Sequence, residues 1–158
     1  SRESMLDFYN NPTTRALLKT DVIWEIEQHL SQTQNDVNRA NMLRSSWYRE
    51  LDRLFTTNDF LVLPTSQVFA FSKETPWPTE INGQMMDTYH RWMEVTLYAS
   101  LGGLPAVNVP VGFDNLGRPM GMQVIGNYGE DQKVLEFALA YEQITDHLAQ
   151  RPNLIAAN

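Results

Sequence analysis

The chain has 158 residues, 42% of them hydrophobic and 20% charged, with a formal net charge of −7. That length suits one domain with a real core, and an aromatic share of 11% argues against disorder. Its 12 basic residues are scattered among 19 acidic ones, so no phosphate-binding face is expected and nucleic acid is excluded as a direct partner.

The absence of cysteine removes disulfides, thiolate nucleophiles and Cys-ligated metal sites. It is compatible with the cytoplasm, where the chain is expected. No run of 18 apolar residues exists, so no membrane span is expected. Ser1-Arg-Glu-Ser-Met-Leu-Asp has no signal-peptide pattern and no initiator Met, and reads as the start of a cut-out or processed chain.

In chain order, Asn11 can cap a helix that begins at Pro12. Thr20-Asp21 restarts a helix carrying Val22, Ile23, Ile26 and Leu30, broken at Ser31-Gln32. Thr33 to Asp36 has the form of a capping box, and a long helix follows to about Phe55. Val37, Ala40, Arg44, Trp47, Leu51, Leu54 and Phe55 fall on one stripe of that helix, which reads as its core face. Phe60 to Leu63 reads as a buried strand. Pro64, Pro76 and Pro78 forbid a regular element up to Gly83, and a loop that long is more often functional than accidental. Its aromatics Phe69, Phe71 and Trp77 need cover.

Gln84 to about Leu101 is expected to be helical, stopped by Gly102-Gly103 and by Pro105. Val107, Val109 and Val111 alternate with Ala106, Asn108 and Pro110 in a strand. Asp114 to Gly117 is turn chemistry, and Met120, Met122 and Val124 alternate with Gly121, Gln123 and Ile125 in the return strand. Gly121 marks a close backbone approach, and Gln123 needs partners if buried. A last helix is expected from Glu130 to Leu148, with Val134, Phe137, Ala138, Tyr141, Thr145 and Leu148 as its stripe; the tail after Arg151 reads as loosely held. The expected class is α/β, with helices packed on strands of a mixed β-sheet, a β-hairpin near residues 105–125 and one domain over residues 1–158.

No catalytic constellation follows from the residues alone. His29, His90 and His147 are too far apart for a helical metal pair, so no metal and no cofactor is implied. No Gly-x-Ser-x-Gly elbow exists, and Ser45-Ser46 lies mid-helix without oxyanion donors. Lys19 and Lys133 read as exposed, too poorly buried to serve as bases.

Leu101-Gly-Gly-Leu-Pro-Ala-Val-Asn-Val-Pro-Val-Gly-Phe113, followed by Gly117-Arg-Pro-Met-Gly-Met-Gln-Val-Ile-Gly126 and a helix with Ala140-Tyr-Glu142, resembles the C-terminal end of amidase signature enzymes. That family includes amidases and the A-type subunits of the aminoacyl-tRNA amidotransferases. Tyr48, the Phe55 to Thr65 segment, Trp77-Pro78 and His90-Arg-Trp-Met93 extend the likeness, which runs from about Pro12 to Tyr141. The resemblance implies a piece of a larger α/β fold with a central mixed sheet. It also implies hydrolysis of non-peptide C–N bonds by a Ser–cis-Ser–Lys triad. Neither signature is present in this sequence, so the triad is expected upstream of Ser1 and the chain is expected to be inactive alone.

By the same resemblance, the loop from Thr65 and the helix before Gly102-Gly103 approach the substrate. Thr65, Tyr89, Trp92 and Met93 are therefore the pocket candidates, although Trp92 and Met93 read first as core and Tyr89 first as surface or packing. The amidotransferase branch carries an acidic residue near Trp92-Met93; its absence points away from glutamine and toward a less polar amide. Three functions compete: a C-terminal piece of an amide hydrolase acting on a small-molecule amide, a non-catalytic binding or assembly module, and an A-type amidotransferase subunit. Faces that would pack on the missing part are expected to drive self-association into a homo-oligomer.

Overall fold

Residues 5–150 are described by a computed structural model. The chain divides between Ser46 and Trp47 into two compact units. The side chain of Leu148, expected on the last helix's stripe, and the tail after Arg151 lie outside what is described.

The first unit is helical. Helix α1 covers Leu6–Asn10, α2 Pro12–Arg15 and α3 Thr20–Ser31, and α4, Gln34–Phe55, begins in this unit. The Asn11 side chain accepts from the Thr13 N–H at 3.0 Å, which caps α2 with Pro12 at its first position, as expected. Ile26 of α3 is fully buried. Glu27 of the same helix accepts from the Tyr9 hydroxyl at 3.0 Å and from Arg15 at 3.1 Å, and the Arg15 guanidinium lies over the Tyr9 ring. The capping box before α4 is reciprocal: Asp36 N–H donates to Thr33 Oγ1 at 3.3 Å, and Thr33 N–H donates to Asp36 Oδ2 at 2.9 Å. The Thr33 hydroxyl also donates to that carboxylate, which holds it below the usual Asp range.

The stripe on α4 is covered only toward its end. Leu51 is buried, and Trp47, Leu54 and Phe55 are partly buried, but Val37, Ala40 and Arg44 are exposed. Periodicity located the apolar face correctly, but a stripe records what a helix can bury and does not guarantee that this chain supplies the cover.

The second unit is built on a three-stranded sheet in the order β1-β5-β4, with β1 at Leu61–Pro64, β4 at Ala106–Phe113 and β5 at Pro119–Ile125. Both pairings are antiparallel, where a mixed sheet was expected. The reason is topological. β1 and β4 run in the same direction, but the hairpin folds β5 in between them, so the two parallel strands never pair. β1 is therefore an edge strand with Val62 exposed, half-buried where the apolar run suggested full burial.

The hairpin is where it was expected. The register pairs Val107 with Val124 and Val109 with Met122, then slips between Pro110 and Gly112. Val111 is the extra residue of this bulge and points to solvent, against its expected place beside Val107 and Val109. Gly112 takes φ +118°, which its lack of a Cβ permits. On one sheet face lie Val107, Val109 and Val124, against α6, Asp131–Ile144. Val134 of α6 is buried, while Phe137, Ala138, Tyr141 and Thr145 are partly buried, as the stripe required. The helix ends at Ile144, short of Leu148, and Thr145 is already extended.

The stretch from Gln84 to Leu101 departs most from expectation. Glu80–Ile81 (β2) and Gln84–Met85 (β3) form a small hairpin around Asn82-Gly83, whose φ values are 50° and 78°. Asn-Gly between two extended pairs is a type I′ turn signal that the Met85–Tyr89–Trp92 spacing obscured. A 3₁₀ helix then spans Arg91–Thr96 and passes into α5, Leu97–Gly102. Gly103, at φ 63°, ends that helix in the left-handed conformation, as expected.

Candidate functional site

The other sheet face carries the site. Leu63, Gln123 and Asn108 are cross-strand partners in one row, and Gly121 pairs with Pro110 in the next row on that face. Gln123 is buried, and its carboxamide nitrogen donates to the Pro64 and Val95 carbonyls, each at 3.0 Å. The partners expected of a buried Gln123 are thus a strand end and the 3₁₀ helix. Gln67 completes the tie: its oxygen accepts from the Val95 N–H at 3.1 Å, and its nitrogen donates to the Arg91 carbonyl at 3.3 Å. Two neutral amides thus hold residues 91–95 over the sheet without burying a charge.

A groove of about 520 Å³ opens beside this tie. Thr65, Asn108 and Gly121 form a polar patch in its lining, and Phe69, Phe71 and Trp92 supply most of the aromatic surface. Met120, Pro110 and Pro119 come from the hairpin. Among the described residues, no ionisable side chain lines it. The Thr65 N–H donates to the Gly121 carbonyl at 2.9 Å, extending the β1–β5 ladder by one bond. The Thr65 hydroxyl donates to Asn108 Oδ1. A Cβ on Gly121 would stand 2.6 Å from Asn108 Oδ1 and 2.7 Å from Thr65 Oγ1, so the close approach read from the sequence is made to these two side chains.

The rim is fixed by Arg118. Its guanidinium donates to Asp114 Oδ2 at 2.7 Å through Nε and to the Ala70 carbonyl at 3.2 Å through Nη1, and lies 5.3 Å from the Phe69 ring centre. The hairpin turn is thereby tied to the 66–71 loop. The hydrogen bond from Arg118 holds the Asp114 carboxyl below the usual Asp range, with N–H groups of Arg118 and Leu116 adding to it.

Of the four candidates, Thr65 and Trp92 line the groove and Tyr89 and Met93 do not. Tyr89 stands behind Trp92, edge-on at 6.1 Å, and also meets Trp77 at 6.4 Å. Phe71 meets Trp92 edge-on from the loop at 5.6 Å. Trp92 Nε1 is buried with no hydrogen-bond partner among the described residues. Met93 gives its carbonyl to the Thr96 hydroxyl at 2.8 Å. Gln67, Asn108 and Arg118 were not singled out as site residues. A polar residue amid the valines of β4 was the available signal for Asn108; for Gln67 the loop offered none.

The described residues hold no group of three or more His, Cys, Asp or Glu side chains able to bind a metal, and no helix long and apolar enough to cross a membrane. Lys133 is engaged by Asp59 at 2.8 Å and by Glu130 at 3.4 Å, which keeps it protonated and raises its pKa. Lys73 lies on the exposed loop beside Glu74. Ser66, in the groove lining, accepts from the Val68 N–H at 3.3 Å.

A family model described as Amidase matches residues 2–135. Among curated proteins, the chain is 35% identical over 114 residues to the A-type subunit of the glutamyl-tRNA(Gln) amidotransferase of Synechococcus sp. (strain CC9311), covering 72% of this chain and 22% of that protein. It therefore spans about a fifth of the length of the curated relatives it matches. Among solved structures, a bacterial aryl acylamidase of the amidase signature family superposes with a TM-score of 0.80 at 24% identity, over 96% of this chain and 34% of that one. An amidase superposes with a TM-score of 0.76 at 26% identity, over 90% and 32%. The corresponding glutamyl-tRNA(Gln) amidotransferase subunit of Thermotoga maritima gives 0.54 at 29% identity, over 91% and 26%.

Proposed function

The chain belongs to the amidase signature family, and from that premise we propose that it is the C-terminal part of an amide-bond hydrolase and supplies one wall of its substrate pocket. The observation that carries this reading is the groove itself. Thr65 of the strand-end loop and Trp92 of the segment before Gly102-Gly103 come together in one concave, largely apolar surface. Such a wall binds and orients a substrate. It does not cleave one, because hydrolysis needs a nucleophile in contact with a base and donors for the oxyanion. Lys133 is committed to carboxylates and Lys73 lies on an exposed loop.

On this reading the nucleophile and base are carried by chain outside these residues, and the purified 158-residue chain is inactive alone. An amide-hydrolysis assay with a neutral anilide tests it. Product release at the buffer rate is the expected result. Turnover that disappears when one of this chain's own residues is replaced would overturn it.

A second reading, an A-type amidotransferase subunit, is favoured by the 35% identity to those proteins. Against it stands Met93, at the place where that branch is expected to carry an acid. Glutamine competing with neutral aryl amides for this chain would favour the amidotransferase.

A further inference from the structure

We infer that the groove takes a neutral aromatic group bearing one hydrogen-bond acceptor, and that Asn108 is the residue that selects it. This rests on the reading of the groove as a substrate wall and names the class of group it receives.

Three observations converge. The lining holds three aromatic rings, Phe69, Phe71 and Trp92, and no ionisable side chain among the described residues. A charged ligand would lose hydration there without gaining an ion pair. Arg118, 5.3 Å from the ring centre of the lining residue Phe69, is already held by Asp114 and the Ala70 carbonyl. An anion would have to break a charge-assisted bond to recruit it. The rings also prefer to meet a flat partner edge-on or offset, as Phe71 and Tyr89 already meet Trp92.

The third observation is the orientation of Asn108. Its side-chain oxygen is occupied by the Thr65 hydroxyl, which leaves the amide nitrogen as the donating end. No protein acceptor is bonded to that nitrogen among the described residues, and Asn108 is exposed in the groove lining. Gly121 keeps the approach open, since a Cβ there would collide with both Asn108 and Thr65. The floor therefore offers the Asn108 amide nitrogen as a donor, and a ligand carbonyl or hydroxyl oxygen fits it. A ligand ammonium finds no carboxylate in the described lining to offset its lost hydration.

The test is ligand-observed NMR titration of the 158-residue chain with benzamide, benzoate and benzylammonium, repeated on Asn108→Asp. That substitution keeps an oxygen for the Thr65 hydroxyl and removes both amide donors. The unmodified chain is expected to bind benzamide about tenfold or more tightly than either ion, the scale of one net hydrogen bond. Asn108→Asp is expected to weaken benzamide by about tenfold and to move benzylammonium ahead of it.

Benzoate or benzylammonium equal to benzamide on the unmodified chain would overturn the proposal, as would an unchanged ranking in a folded Asn108→Asp. No binding of any of the three would overturn it too. The ranking on the unmodified chain decides the matter even where the variant fails to fold. None of these outcomes depends on turnover, so failure here is separable from failure of the hydrolase reading.

Discussion

Gln123 Nε2 donates to the Val95 carbonyl at 3.0 Å, and this bond joins the middle strand of the sheet to the 3₁₀ helix that carries Trp92. The same nitrogen holds the Pro64 carbonyl at 3.0 Å, at the end of β1. Replacing Gln123 with Leu removes one hydrogen bond from each of two carbonyls in buried or part-buried surroundings. The expected loss is about 2–4 kcal/mol of unfolding free energy, read from urea denaturation. A loss below about half a kcal/mol would mean that packing and the Gln67 bonds hold the 91–96 segment without Gln123.

Gly121 is predicted to be intolerant of a side chain for a local reason. A Cβ there meets two polar side chains at 2.6 and 2.7 Å. Gly121→Ala is expected to cost about 1–3 kcal/mol as Thr65 and Asn108 are pushed apart. Gly117→Ala, with no atom within 4 Å of its Cβ but φ +73°, separates backbone strain from crowding. Its melting temperature should fall less than that of Gly121→Ala.

The Asp114–Arg118 pair sets an acid dependence. Asp114 is held below its ordinary value of 3.8 chiefly by the Arg118 hydrogen bond. A carboxyl depressed in the folded state stabilises that state fully above its ordinary value, and the contribution is lost as pH falls through the depressed one. Arg118→Met removes the largest cause. The Asp114 carboxyl, followed by NMR titration, should then titrate at higher pH, and the 66–71 loop should lose its tie to the hairpin. An unmoved titration would assign the shift to the N–H groups of the turn instead.

Apolar side chains left open lead to the next prediction. Leu135 and Leu139, one helical turn apart on α6, are 63% and 56% exposed, and Val62 on the edge strand is 47% exposed. Sedimentation velocity is expected to show self-association that grows with concentration. A single monomeric species throughout would contradict this.

Much of this fold was legible because local chemistry and tertiary context agree. Asn11-Pro12, the Thr33–Asp36 box, Gly103 and the Asp114–Arg118 turn of the hairpin each satisfy backbone groups within a few residues, which a sequence can display. Residues 84–96 were misread because apolar spacing suggested a helix while Asn82-Gly83 closed a turn just before it. The bulge at Val111 was not legible, since alternation has no marker for an extra residue. Of the groove lining, Thr65 and Trp92 are residues that the family resemblance pointed to, whereas Asn108 and Gln67 depend on partners 43 and 28 residues away. Bonds of that span are set by topology, which no local pattern records.

The central claim is that the groove over Thr65, Asn108 and Gly121 is the amide-binding wall. The most direct measurement is backbone amide chemical-shift mapping of the chain with a neutral aryl amide. The account predicts shifts concentrated at Thr65, Phe69, Trp92, Asn108 and Gly121. Shifts gathered instead at the smaller β4–α6 cavity of about 210 Å³, around Val107, Tyr141 and Thr145, would contradict it, as would no shifts at all.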